Sequence, residues 1–196
     1  MEVENSLKNL AAMLRARGDD VTELDEQVAG VDPTDFYGDH WVELHTDQTQ
    51  VIYTLTKDTL KKFIKEVKDL SGEEMIERWG ARRFIVVERP SQTSTVVLVE
   101  KDKLLAASDG QLQIYDIRHL IYNPAAHVYT PKHEKISEAE VKDIVDRYQV
   151  KTRFQLPIIL RADIMARYLG LRHGDVVRIH RHNPNSGTSI YYRCCM

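Results

Sequence analysis

Two histidines bracket a short proline-containing stretch, His127-Val-Tyr-Thr-Pro-Lys-His133, and His180 and His182 stand one residue apart not far ahead of the adjacent pair Cys194-Cys195. Imidazole and thiolate are zinc ligands, but a tetrahedral site needs four donors converging on one point. Neighbouring cysteines on a strand point to opposite faces, so Cys194 and Cys195 cannot both serve. His180 and His182 do share a face, and one thiolate could join them across a hairpin, which leaves the site one ligand short. Exposed strand histidines and an ordinary terminal cysteine pair are therefore expected, and no metal. Nucleophilic catalysis has no G-x-S-x-G and no cysteine beside a recognisable base. The nine glycines are scattered, with no Gly-rich run to cradle a phosphate. Glu100 and Lys103 stand three apart, where a magnesium-dependent nuclease face wants a glutamate and a lysine two apart. The residues thus predict no catalytic group and no cofactor. His127–His133 reads instead as structural: Pro131 fixes its own φ and keeps Thr130 extended, while the histidines and Lys132 offer donors from a rigid joint leading to a helix at Ser137.

The elements that must carry these residues follow from periodicity. Leu7, Leu10, Ala11 and Leu14 repeat at helical spacing before Gly18, giving a helix over 5–17. An acidic connector broken by Gly30, Pro33 and Gly38 holds at most a short helix. Trp41 to Thr56 reads as a hairpin around His45-Thr-Asp-Gln-Thr49. Leu60, Phe63, Ile64 and Val67 mark a second amphipathic helix, extended by a short third in Glu73–Trp79. Arg82–Glu88 is a short apolar run flanked by charge, the mark of a strand buried on both faces, and a helix between strands suggests an α/β layer. The run from Arg89 to Ser108 is ambiguous, its valines favouring strand and its leucines and alanines helix. Leu112–Pro124 returns to strand character and ends in a turn at Asn123-Pro124. Ser137 and Glu140 form a capping box for a helix striped by Val141, Ile144, Val145 and Tyr148. Asp163 caps a shorter helix that Gly170 ends. Two final strands flank Asn183-Pro-Asn-Ser-Gly187.

The chain has 196 residues, 42% hydrophobic and 29% charged, enough for one large or two small domains. No apolar run is long enough to span a bilayer, and the first residues lack the order of a secretory signal, so no membrane partner and a reducing, intracellular setting are expected. Net charge is −3, but residues 1–126 carry 15 Lys and Arg against 23 Asp and Glu, whereas residues 127–196 carry 12 against 7. That split marks two domains, 1–126 and 127–196, and the basic excess of the second suits an acidic protein surface better than nucleic acid.

The C-terminal third carries a resemblance. His127, Pro131, Lys132, His133, Ser137, Arg147-Tyr148, Gln155-Leu156-Pro157, Asp163, Ala166-Arg167-Tyr168, Gly170, Gly174 and Tyr192-Arg193 reproduce, in order, the pattern of the fifth-largest subunit shared by eukaryotic nuclear RNA polymerases. The C-terminal module of that family is similar to a small archaeal RNA polymerase subunit, which lacks the N-terminal half. The likeness covers about 70 residues, to the hairpin turn without gaps. Leu10–Gly18 also looks like the family's first helix, ending Met-Leu-Arg-x-Arg-Gly, and Arg82–Glu88 like its central strand. The chain is thus similar to the full-length eukaryotic form or to a version carried by a large DNA virus, and its departures, Ile158 for a usual arginine, Ile164 for a usual proline and Thr130 for a usual valine, would suit a diverged paralogue assigned to one polymerase or a polymerase of a divergent lineage.

The resemblance implies an α+β protein: an N-terminal α/β jaw-type domain, then a module of short helices and a small sheet. It implies a non-catalytic subunit that is not a homo-oligomer. The module would dock on the largest polymerase subunit and support assembly among the other subunits, and the first domain would form part of the lower jaw beside downstream duplex DNA. Location would be nuclear, or a cytoplasmic factory or virion for a viral copy. Arg89, Pro90, Ser91, Gln92 and Thr93 match the family's DNA-facing loop, with an ordinary polar loop as the alternative. His127, Pro131, Lys132, His133, Arg147, Gln155 and Arg167 are the expected subunit contacts. Tyr168 is expected in the core, and Gly170 and Gly174 as backbone devices at positive φ. A free-standing adaptor or nucleic-acid-binding protein reusing the module is the competing reading.

Overall fold

A computed structural model of the chain describes residues 1–67, 72–79, 83–89, 101–103, 105, 111–183, 185 and 187–196. The chain divides into two compact units, Met1–Tyr122 and Asn123–Met196.

In the first unit, helix α1 (Glu2–Ala16) buries Leu7, Leu10, Ala11 and Leu14 on one face. It stops where Gly18 takes φ 90°, a conformation glycine adopts without a Cβ penalty, and the Asp19 N–H turns back to the Leu14 carbonyl (3.1 Å). A short helix α2 (Thr22–Gly30) lies in the acidic connector. Strands β1 (Val42–His45) and β2 (Thr49–Thr54) form the expected antiparallel hairpin, with Val42 opposite Tyr53. Helices α3 (Lys57–Val67) and α4 (Gly72–Trp79) lead to β3 (Arg83–Glu88), which pairs parallel with β2 and with β4 (Leu112–Asp116). The sheet order is β1-β2-β3-β4.

Alternation explains the layering. Ile52, Phe84, Val86 and Leu112 pack against Leu60, Phe63, Ile64 and Val67 of α3. The intervening Val51, Tyr53, Ile85 and Val87, also buried, turn to the opposite face. There the Tyr53 hydroxyl meets Ser6 of α1 at 3.2 Å, and Phe36 stands edge-on to the Tyr53 ring at 5.0 Å. One expectation needs correction: strand character ends at Asp116. Asp116 accepts from the Arg118 N–H (2.9 Å) and starts a 3-10 turn, Ile117–Leu120; it is the composition, with Ile117, Ile121 and Tyr122, that imitates a strand in the sequence. Of the ambiguous run 89–108, residues 101–103 and 105 are helical, and residues 90–100, 104 and 106–108 lie outside the described residues.

The second unit has strands β5 (Lys132–Lys135), β6 (Ile158–Ile159), β7 (Val176–Asn183) and β8 (Gly187–Cys195) in the order β5-β7-β8-β6. β5 corrects the sequence reading, in which Lys132 and His133 belonged to a joint; they are hydrogen-bonded sheet, with Lys132 opposite His180 and Lys135 opposite Val177. Helix α5 (Glu138–Arg147) begins at the expected capping box: Ser137 Oγ accepts from the Glu140 N–H, and the Glu140 carboxylate accepts from the Ser137 N–H at 3.1 Å. Helix α6 (Ile164–Tyr168) is capped by Asp163, which accepts from Met165 (2.8 Å) and Ala166 (3.2 Å).

The helices bury different faces of this sheet. Val141 and Ile144 of α5 pack with Ile136, Leu156, Val176 and Cys194, while Ala166 of α6 packs with Ile159, Leu171, Val177, Ile179 and Cys195. Adjacent cysteines thus fill two separate cores, as strand alternation requires, and burial pushes both thiols up. The distal half of the β7–β8 hairpin, from Arg181 and up to Tyr191, is exposed wherever described.

Candidate functional site

The expected contact residues lie on several elements of the second unit. His127 follows a 3-10 turn (Pro124–Ala126) and is exposed, its Nδ1 accepting from the Tyr129 N–H at 3.3 Å. His133 is half-buried on β5, and because a carbonyl only accepts, its Nδ1–H donates to Pro131 O at 2.6 Å, which fixes the tautomer. Arg147 is exposed at the end of α5, and Gln155 lies in a 3-10 turn (Arg153–Gln155), where its Oε1 accepts from the Lys151 N–H at 2.7 Å. Arg167 is half-buried on α6 and Tyr168 is buried. Gly170 (φ 64°) and Gly174 (φ 85°) take left-handed conformations, and a Cβ on Gly174 would contact the Phe154 ring.

Pro131 and Lys132 lie together with His180 and His182, weighed above as metal ligands, and with residues the sequence did not single out. They line an open groove of about 960 Å³, one wall formed by residues 128–132 and the other by His180, Arg181, His182 and Asn183 of β7 with Ser189 and Tyr191 of β8. Val128 and Tyr129 are each 87% exposed. The Arg181 guanidinium lies over the Tyr191 ring at 4.5 Å, a cation–π contact that holds its plane and leaves its edge N–H groups free to donate. Only the pairing of β5 with β7 brings these two stretches, some 50 residues apart, to one place.

At the proximal end Glu134 gathers the cations. Lys132 Nζ reaches Oε1 at 2.5 Å, His180 Nε2 reaches Oε2 at 2.9 Å and Arg178 stands at 3.9 Å. The hydrogen bonds from Lys132 and then His180 hold the Glu134 carboxyl below the usual carboxylate range. Arg178 also donates to Glu140 at 2.8 Å, tying the first turn of α5 to the sheet. Among the described residues no three His, Cys, Asp or Glu side chains are placed to hold a metal ion, and no helix is long and apolar enough to cross a membrane.

Of the expected DNA-facing loop, only Arg89 lies within the described residues, and Pro90, Ser91, Gln92 and Thr93 fall outside them. Arg89 pairs with the Glu2 carboxylate at the start of α1 and stands 5.6 Å from the Tyr37 ring centre. The first unit also holds a polar clasp that sequence reasoning missed. Arg17 donates to Gln113 Oε1 (2.8 Å) and to the Tyr115 hydroxyl (3.1 Å), and burial lowers its pKa. Asp19, its side chain fully buried, accepts from the hydroxyls of Thr49 (2.5 Å) and Thr46 (3.2 Å) and pairs with Arg83. The Met-Leu-Arg-x-Arg-Gly ending of α1 therefore anchors helix to sheet.

The family model for the RNA polymerase Rpb5 C-terminal domain matches residues 122–195. Over 153 residues the chain is 31% identical to the DNA-directed RNA polymerases I, II, and III subunit rpabc1 of Dictyostelium discoideum, covering 76% of this chain and 74% of that one. It is 26% identical over 191 residues to the DNA-directed RNA polymerases IV and V subunit 5B of Arabidopsis thaliana, covering 93% of this chain and 84% of the relative. DNA-directed RNA polymerase subunit Rpo5 of Methanocaldococcus jannaschii is 43% identical over 67 residues, which is 34% of this chain and 85% of the archaeal one. With a match to a full-length relative that extends well beyond the C-terminal unit, the chain belongs to the Rpb5 family of DNA-directed RNA polymerase subunits.

Proposed function

We propose that the chain is a non-catalytic subunit of a nuclear DNA-directed RNA polymerase. Its C-terminal unit docks on the largest subunit and supports assembly, and its N-terminal unit forms part of the lower jaw near downstream DNA. The observation that carries the reading is the reach of the Dictyostelium match, 153 residues against the 74 of the C-terminal family model, so the likeness takes in both units. The exposed basic and aromatic groove of the second unit supports a protein-binding role, because tyrosine and arginine are enriched at the centres of tight interfaces. In the first unit the balance of 15 Lys and Arg against 23 Asp and Glu over residues 1–126 repels phosphate overall, which confines DNA contact to a local patch. The relatives include one named for polymerases I, II and III and one named for polymerases IV and V, so a copy shared among polymerases and a copy dedicated to some of them are both represented.

A tagged chain purified from its native source at moderate salt, with bound proteins identified by mass spectrometry, tests this. Recovery of the two largest polymerase subunits is expected, and the class-specific subunits that accompany them distinguish a shared from a dedicated copy. A folded chain that recovers none of them is instead the free-standing adaptor.

A further inference from the structure

The strand β7 is longer than its neighbour on one side. β5 pairs with it only from Val177 to His180, whereas β8 pairs with it out to Asn183. Beyond His180 the outer edge of Arg181, His182 and Asn183 faces the groove, and among the described residues no backbone hydrogen bond reaches it from residues 127–131. In an antiparallel strand every other residue directs its N–H and C=O to the outer edge; the Val176 carbonyl accepts from Ile136 on that side, so beyond His180 it is His182 that offers its N–H and C=O to the groove, a one-residue opening for another extended segment.

The side chains around that edge specify what would fill it. Among the described residues no carboxylate lines the groove. Lys132 and His180 are already engaged by Glu134, but among the described residues no carboxylate lies within ion-pair distance of Arg181 or His182. Opposite them Val128 and Tyr129 present nearly their full surface to solvent. A strand edge, one fixed unpaired cation and an exposed apolar wall are the features of strand addition, in which main-chain bonds give affinity and alternate side chains give specificity. A nucleic acid fits less well. Its affinity grows with the number of phosphates neutralised, yet among the described residues the groove has only two permanent cations, one of them occupied, and a phosphate backbone makes no use of strand carbonyls.

We propose that the groove takes an extended, acidic segment of a partner protein, which continues β5 along the free edge of β7. It places a carboxylate on Arg181 and an apolar side chain against Val128 and Tyr129. The inference rests on the reading that the C-terminal unit docks within a polymerase, and it names the chemistry of the docked segment.

The test places the photocrosslinking residue p-azidophenylalanine, close to tyrosine in size and shape, at position 129 in the tagged full-length chain. The chain is recovered with its complex and irradiated, and the attached peptide is sequenced. The expected attachment is to a polymerase polypeptide with Asp or Glu within a few residues. Arg181→Glu should lower its yield at least about tenfold while Arg181→Lys retains most of it, as for a charge pair desolvated at an interface. Circular dichroism establishes that both variants are folded. Attachment to nucleic acid, attachment to a segment without acidic residues, or equal yields from Arg181→Glu and wild type each overturn the proposal. An intact polymerase recovered without any crosslink overturns it too, leaving the assembly role in place, whereas failure to recover polymerase with the unsubstituted tagged chain overturns both.

Discussion

The two units use their charged residues in opposite ways. In the first, Arg17, Asp19 and Arg83 are drawn inside, where each meets hydroxyl, amide or carboxylate partners between α1 and the sheet. In the second, Glu134, Arg178 and His180 form a half-exposed ladder on one face of the sheet, and Arg181 is left with an aromatic ring for company. The apolar groups follow the same division. The sheet of the first unit is covered on both faces, whereas the distal β7–β8 hairpin runs beyond both cores of the second, with Ile190 49% and Tyr191 45% exposed. A two-stranded ribbon has little stability of its own. Polar groups satisfied within a unit are architecture; those held at a surface beside uncovered apolar side chains are what the proposed docking would cover.

The contrast breaks first at Asp19. Replacing a buried, paired carboxylate leaves its cationic partner uncompensated, so Asp19→Ala should cost the first unit about 3–5 kcal/mol. Urea unfolding followed by tryptophan fluorescence measures this selectively, because both tryptophans, Trp41 and Trp79, belong to that unit. A loss below about 0.5 kcal/mol, the size of a surface pair, would mean that the clasp is not architectural. The next effect lies within one hairpin. Ile179 is 2% exposed and Ile190 is 49% exposed. Truncating the first to alanine should cost about 3 kcal/mol by leaving a cavity, and truncating the second less than about 0.5 kcal/mol. Hydrogen exchange of the β7 amides reads both; similar losses would show that the distal ribbon is as much core as the proximal one.

The sequence was most legible where local chemistry decides the structure. Ser137 with Glu140, Asp163 as a cap and Gly18 as a stop act within four residues of where they stand. β5 escaped because Lys-His-Glu-Lys has no apolar alternation. Charge is a common protection for an edge strand, so its pairing with β7 is the only sign of it. Arg17 stood in the sequence only as the last residue of the helix over 5–17, because Gln113 and Tyr115, nearly 100 residues away, are what bury it. The candidate site was half visible for the same reason. Pro131 and Lys132 stood out as a motif, whereas Arg181, Tyr191 and Tyr129 join it only once the strands pair.

The smallest expected effect concerns the exposed ladder of the second unit. Lys132, and after it His180, depress the folded-state pKa of Glu134 below the unfolded value of about 4.3. Their contribution is therefore complete above that unfolded value and is lost as the pH falls through the folded one. Glu134 is about one-third exposed, so solvent screens the pair. Glu134→Gln should destabilise the unit by only about 0.5 kcal/mol near neutral pH. The gap between variant and wild type should close as the pH is taken below the usual carboxylate range. Hydrogen exchange of the β5 and β7 amides across that range follows it. A gap that persists undiminished in acid would assign the loss to altered packing on β5, and the ladder would then be an arrangement of side chains without electrostatic consequence.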